Sequence, residues 1–346
     1  MRINMLYRFF WFLFLTLPLR AQYSDLLTNP HISWVAEYTS DFVLNPEDEE
    51  NLYESDHNYL DVIEFRNPGN ENGLYGRNAY AKKYLSQQVL KNTGVPGFPC
   101  YQDSLLTTPM SAGEHFSRLN RIDTAWNSCN GEVSFITVEV HYTQIWCFRV
   151  RQVFWYDRKT RRFDSRLLSY APVVDSLDSE GNRVGVRALY WLKPGDNPPG
   201  RFKNRNFSYI FQTRMKNNSP RLQDFKVQKG SLDLKALVRE EMQAPAHPCL
   251  DAGEYKPADP PELLNYCFGQ DTIVTYDPNS NEEQVSIEPR NCLEWVERIR
   301  FVHNWYYDER RNRLYARLAG FAPLLSIRDS DGNFRYYRPL FYQMYP

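Results

Sequence analysis

The chain has 346 residues, with 41 Lys and Arg against 42 Asp and Glu, and its aromatic complement is 8 Trp, 24 Tyr and 21 Phe. A hydrophobic share of 42% excludes wholesale disorder, and a net charge of −1 leaves no whole-chain footprint for nucleic acid or an anionic membrane. The length suggests two domains, and no apolar run reaches the ~18 residues of a spanning helix, which excludes a polytopic membrane protein.

The N-terminus sets the compartment. Met1–Arg8 carries two arginines and no acid, Phe9–Leu19 is an apolar run interrupted by Thr16 and Pro18, and Ala21-Gln22 follows. A basic start, a short apolar core and a small residue at the cut predict a secretory signal peptide over 1–21, cleaved after Ala21. The 11-residue core is too short to span a bilayer. The mature chain then carries 38 basic and 42 acidic residues and is mildly acidic. An acidic N-terminal arm over 22–76 follows, with Glu47, Asp48, Glu49, Glu50, Glu54, Asp56, Asp61 and Glu64 concentrated in one stretch that reads as solvated. Export makes Cys100, Cys129, Cys147, Cys249, Cys267 and Cys292 candidates for disulfides, in any of ~15 connectivities.

An internal repeat organises the rest. Tyr156-Asp157 laid over Tyr307-Asp308, an offset of 151, aligns the following thirty-odd residues without a gap. Identical pairs include Arg162/Arg313, Leu167/Leu318, Pro172/Pro323, Asp178/Asp329, Asn182/Asn333 and Leu189/Leu340. Upstream, an offset of 149 pairs Leu85/Leu234, Val89/Val238, Pro99/Pro248 and Cys100/Cys249. The pattern predicts an α+β chain of two tandem duplicated modules, 77–194 and 231–346, joined by a linker over 195–230. Each module reads as one helix followed by an antiparallel three-strand meander. In the second, Leu234, Leu237, Val238 and Met242 give the helical period, with Ser231 as the N-cap. Its strands are expected over 296–307, 313–325 and 334–345, with turns at 308–312 and 329–333. Strict alternation puts Leu314, Ala316, Leu318, Gly320 and Ala322 on one face and Tyr315, Arg317, Ala319 and Phe321 on the other.

The search for chemistry returns little. The sequence has no Gly-rich phosphate loop, nucleophile elbow, zinc-protease motif or Cys-x-x-Cys pair, so no cofactor, metal or catalytic residue is expected. Glu114-His115 are neighbours that point apart on a helix. Cys292 with a distant histidine would make a thiol enzyme, yet an exported cysteine is more often in a disulfide. Arg335-Tyr336-Tyr337-Arg338 and Phe154-Trp155-Tyr156 interleave cations and rings, a pattern for stacking on sugars or for ordinary alternation of core and surface.

The stretch Trp305-Tyr306-Tyr307-Asp308, then Arg317 through Pro323, then Arg338-Pro339-Leu340-Phe341 and Tyr345-Pro346 resembles the GldN/PorN family. Trp305, Asp308, Arg317, Gly320, Ala322, Pro323, Pro339, Leu340, Phe341 and Pro346 fit its pattern, and Thr275-Tyr276-Asp277 resembles its Thr-Ala-Tyr-Asp segment. The likeness covers 262–346, with a fainter match at 145–192 where Ser169 stands in place of Gly320. That family comprises periplasmic subunits of the type IX secretion and gliding machinery of Bacteroidetes. The resemblance implies a non-enzymatic scaffold, peripheral to the outer membrane through a GldK/PorK-like ring lipoprotein and assembled with other secretion-machine subunits. It makes Trp305, Tyr306, Arg317, Arg338 and Phe341 candidate interface residues. The alternative is a periplasmic glycan-binding module using surface aromatics.

Overall fold

Two hairpins of long strands organise the computed structural model, which describes residues 22–44, 58–60, 85–93, 98–126, 133–145, 147–178, 182–195, 208–214, 219–252, 256–276, 283–308, 311–329 and 331–345. The expected signal peptide, most of the acidic stretch, Cys129 and Pro346 lie outside these residues. The first half runs α1 (Ser24–Thr28), β1 (Ile32–Leu44), β2 (Asn58–Leu60), α2 (Leu85–Asn92), β3 (Cys100–Tyr101), α3 (Ala112–Leu119), β4 (Asn120–Trp126), β5 (Val133–Glu139), β6 (Cys147–Asp157), β7 (Arg162–Leu177), β8 (Arg183–Ala188) and β9 (Trp191–Leu192). The second runs β10 (Ser208–Arg214), β11 (Lys226–Lys229), α4 (Leu234–Gln243), β12 (Cys249–Leu250), α5 (Pro260–Phe268), β13 (Gln270–Tyr276), β14 (Glu283–Pro289), β15 (Val296–Asp308), β16 (Arg313–Arg328), β17 (Phe334–Pro339) and β18 (Tyr342–Met344).

From β10 onward the order repeats, except that β11 takes no counterpart. The chain is therefore α+β and rich in antiparallel strand, in two tandem modules. One helix ahead of a meander is too simple a description. Ahead of the long hairpin of each half stand two short helices and a separate two-stranded ribbon, α2, α3 and β4–β5 in the first and α4, α5 and β13–β14 in the second. The first sheet has the order β11-β1-β6-β7-β9-β3, with β8 on β7, and the second β10-β15-β16-β18-β12, with β17 on β16. Residues expected to be arm and linker enter these sheets. β1 pairs along the length of β6, β10 pairs with β15, and β11 crosses back to pair with β1.

The duplicated sequence repeats its backbone irregularities as well. Arg161 and Asn312, counterparts at the hairpin turns, both take left-handed φ, 50° and 48°. Asp157 and Asp308 open those turns by accepting backbone N–H groups two or three residues on, as short carboxylate side chains do. A bulge interrupts both hairpins at one counterpart place, between Arg151 and Gln152 opposite Leu167–Ser169, and between Val302 and His303 opposite Leu318–Gly320. The extra residue switches the alternation. Phe321 therefore joins Leu314, Ala316 and Leu318 in the main core, while Ala319 and Ala322 pack in a separate cluster on the other face. The third strand also breaks in both modules, into β8 and β9 or β17 and β18. Leu189 and Leu340 donate to the carbonyls of Pro172 and Pro323, which have no N–H to return. Gly320 is needed where β18 passes, because a Cβ there would meet the Gln343 carbonyl at 2.4 Å. In the first module the counterpart pairing of β7 with β9 is at Tyr170↔Leu192, and the Ser169 hydroxyl donates to the Ser104 carbonyl at 2.7 Å. The α4 helix buries Leu234, Leu237, Val238 and Met242, but its N-cap is Asp233, which accepts from the Ala236 N–H, and not Ser231.

The two sheets share one core. Phe154 stacks on Phe301 with centroids 4.6 Å apart, Phe163 meets Phe321 at 4.9 Å, and Phe42 meets Trp305 at 5.1 Å. Gln152 and His303 occupy counterpart positions, and their Nε2 atoms lie 3.4 Å apart. Counterparts touch where an approximate two-fold axis relates the modules. His303 is fully buried, 3.1 Å from the Ser165 hydroxyl, and burial pulls its pKa down to about 3. The folded chain therefore keeps the ring neutral while the unfolded chain protonates it below pH ~6.5. Stability is fully present above that pH and is lost on acidification, by about 2 kcal/mol between pH 6.5 and 5 for this one group. Urea titrations at the two pH values should show the loss, with His115 adding in the same direction. His303→Gln, which installs the first module's residue, should reduce the difference between the two pH values. A pH response unchanged by the substitution would assign the effect elsewhere.

Candidate assembly surface

The five candidate interface residues part company in the structure. Trp305 sits in the middle of β15, a strand covered on both faces, and is fully buried against Phe42. Tyr306 and Phe341 are buried as well, the latter 6.3 Å from the Phe321 ring. These three rings are core. Arg317 and Arg338 face outward, and the Arg338 guanidinium lies 5.7 Å from the ring of Tyr266 on α5. In Phe154-Trp155-Tyr156 the outer rings are buried and only Trp155 is half-buried, under the Arg166 guanidinium.

Among the described residues the cysteines give one bond. Cys267 on α5 is joined to Cys292 in the 3-10 turn Cys292–Trp295, while Cys100, Cys147 and Cys249 are buried. Burial pushes the Cys147 and Cys249 thiols well above the ordinary range, so neither is a ready nucleophile. The bond to Cys267 closes thiolate chemistry at Cys292. Glu114 closes a capping box with Ser111, while His115 turns inward against Tyr190. Among the described residues no group of three or more His, Cys, Asp or Glu stands close enough to hold a metal ion.

Sequence reasoning missed the ribbons. In each module a two-stranded ribbon, β4–β5 or β13–β14, pairs with no other described strand. The second ribbon is rooted by the disulfide, since Cys267 immediately precedes it and Cys292 follows it. Asp271 and Arg290 form a two-pronged ion pair at that root, and the Arg290 guanidinium holds the Asp271 carboxyl below its usual range. The register Thr272↔Ile287 and Val274↔Val285 puts these four on one face, where Val274, Val285 and Ile287 are 46%, 61% and 65% exposed. The β-branched run Thr-Ile-Val-Thr and the alternation in Val-Ser-Ile were the available signals. Beside the ribbon, Tyr266 lies 5.7 Å from the Arg290 guanidinium and 5.7 Å from that of Arg338 on β17. β17 pairs only with β16 among the described strands, and exposes Phe334, Arg335 and Tyr336. Ribbon root, Tyr266 and β17 thus form one outward face of rings, arginines and apolar strand, the composition of interface hot spots.

Truncations should separate core from surface. Trp305→Ala and Phe341→Ala are expected to cost about 3–5 kcal/mol of stability in denaturant titrations. Arg317→Ala and Tyr336→Ala should each stay within about 0.5 kcal/mol. A Trp305→Ala protein as stable as its parent would contradict the buried assignment.

Comparison with known proteins gives one family. The family described as "Gliding motility associated protein GldN" matches the chain over residues 56–225 and again over 202–346, once per module. No curated protein matches the chain significantly. With most of its length matched, and matched twice, the chain belongs to the GldN family of gliding motility-associated proteins.

Proposed function

We propose that the protein is a non-enzymatic scaffold subunit of the gliding and type IX secretion machinery, working in the periplasm. In this reading it is exported by the Met1–Ala21 signal and held at the outer membrane through a GldK/PorK-like ring lipoprotein. The observation that carries it is the outward face of the second module, where Tyr266 lies between Arg290 at the root of a disulfide-rooted apolar ribbon and Arg338 on β17, a strand that also exposes Phe334 and Tyr336. A site for chemistry needs groups gathered in a pocket. Here the rings and charges are spread over protruding strands, as contact surfaces are. The Cys267–Cys292 bond supports an oxidising compartment. Family membership supports the machinery.

The glycan-binding reading has one observation in its favour. A hollow of about 460 Å³ between α5 and β17 is lined by Tyr266, Asp259, Glu262 and Arg338, a ring with polar groups around it.

A tagged chain purified from envelope fractions of its native host tests the proposal. The mature protein should begin at Gln22, fractionate with the envelope, and bring down a ring lipoprotein. Tyr336→Ala with Arg338→Ala should lower that capture while leaving the chain folded. An intact Met1 terminus in the cytosolic fraction would contradict the reading, and retention on polysaccharide resin without protein capture would favour the glycan module.

A further inference from the structure

We propose that the hollow between α5 and β17 binds an aliphatic chain with a carboxylate at one end and an ammonium at the other, the chemistry of a diamino acid or of a peptide that ends in lysine. Arg338 takes the carboxylate, Asp259 and Glu262 take the ammonium, and the methylenes lie along the ring of Tyr266. The proposal goes beyond the scaffold reading and does not depend on it.

The hollow, about 460 Å³, is lined by groups of both signs with a ring among them. Asp259, Glu262 and Tyr266 recur along α5 at helical spacing, so they share the face that lines it. At 1.5 Å per residue the two acids stand roughly 6–10 Å along the helix from the ring. Arg338 enters from β17 with its guanidinium 5.7 Å from the Tyr266 centroid, and Pro339 and the buried Leu340 add an apolar wall. These charges are not used up inside the chain. Asp259 is the N-cap of α5 yet makes no side-chain cap hydrogen bond, the ordinary task of an aspartate there. Among the described residues neither the Asp259 nor the Glu262 carboxylate forms an ion pair, and the Arg338 guanidinium contacts only the ring. Opposite charges held apart across an exposed ring suit a ligand that carries both, since each end finds a partner and the chain between them an apolar surface.

The duplication shows the same place without such a site. The Met110 N–H donates to the Cys100 carbonyl as the Ala258 N–H does to that of Cys249, which aligns Ser111 with Asp259, Glu114 with Glu262 and Arg118 with Tyr266. In the first module Glu114 is satisfied locally. It accepts from the Ser111 N–H and hydroxyl, both at 2.8 Å, and from the Gln102 amide at 2.7 Å. Asp259, in place of Ser111, has no hydroxyl to donate and adds a like charge beside Glu262. Arg118 stands where the ring would be and Arg187 where Arg338 is, so two cations replace a cation and a ring. Only the second module combines ring, acid and guanidinium in one hollow.

Titration calorimetry of the full secreted chain tests this with ε-aminocaproate, against caproate and hexylamine, which each keep one of its two charges. The parent should bind ε-aminocaproate with a Kd at or below about 1 mM. Each one-charge analogue should bind at least about tenfold more weakly, because a charged hydrogen bond is lost. Arg338→Gln should erase the preference over hexylamine, and Asp259→Asn with Glu262→Gln the preference over caproate. All three side chains are exposed, and the comparison of analogues on the unaltered chain needs no variant. Free lysine and a peptide ending in lysine then separate the two sources, and amidating the peptide's C-terminus should abolish its binding. No heat from ε-aminocaproate at about 10 mM, or caproate binding equally well, overturns the proposal. Binding of chitotriose in its place would overturn it in favour of the glycan module. Capture of envelope proteins by a chain that ignores ε-aminocaproate would sink this site and leave the scaffold reading standing.

Discussion

The packing of one sheet on the other through a shared aromatic core is the constraint from which the rest of the molecule follows. Phe154 on Phe301, Phe163 on Phe321 and Phe42 on Trp305 all cross from one sheet to the other. Each buried aromatic removes roughly 150–250 Å² from water. A module on its own would expose that face. The approximate two-fold relation brings Gln152 against His303, so identical folds arrive at the contact in one orientation but with different side chains. A neutral imidazole against an amide and the Ser165 hydroxyl is a hydrogen-bonded solution there, and two protonatable rings would not be.

Unequal use of equal folds extends outward from that axis. Arg161 holds the left-handed turn position that Asn312 fills in the second module, and its guanidinium reaches Glu241 on α4 at 2.8 Å. Glu241 is 1% exposed and also accepts from Gln343 and the Ala246 N–H. A buried carboxylate so surrounded ties the first module's turn to the second module's helix, and removing one partner would strand a buried charge. In return, Tyr170 donates to the Asn312 carbonyl at 3.1 Å, and the Tyr345 hydroxyl accepts from the Phe163 N–H at 2.9 Å. With the inner faces committed to each other, what remains for other molecules is the rim: strand edges and ribbons. The Cys267–Cys292 bond then falls at the root of the second ribbon, while at the root of the first neither α3 nor the Tyr142–Gln144 turn contains a cysteine.

Much of this was legible in the residues. The 151-residue offset located both hairpins, their turns and their counterpart strands, because turn chemistry such as Asp-Ser-Asp-Gly-Asn is local. The bulges were not legible. An ungapped self-match carries the same extra residue in both copies, so it cancels, and simple alternation put Phe321 on the wrong face. Arm and linker hid strands because membership in a sheet is decided by distant partners: β11 finds β1 about 190 residues away in sequence. Family pattern residues were read as contact residues at Trp305 and Phe341. A position kept for packing and one kept for binding look alike until burial separates them. The face that protrudes owes its form to what does not pack on it.

Scanning calorimetry of the intact chain tests the shared core most directly. If the two modules stand only together, heating gives one transition whose calorimetric and van't Hoff enthalpies agree. Two resolved transitions, each carrying about half the heat, would mean that the modules melt independently and that the inter-sheet core is an incidental contact.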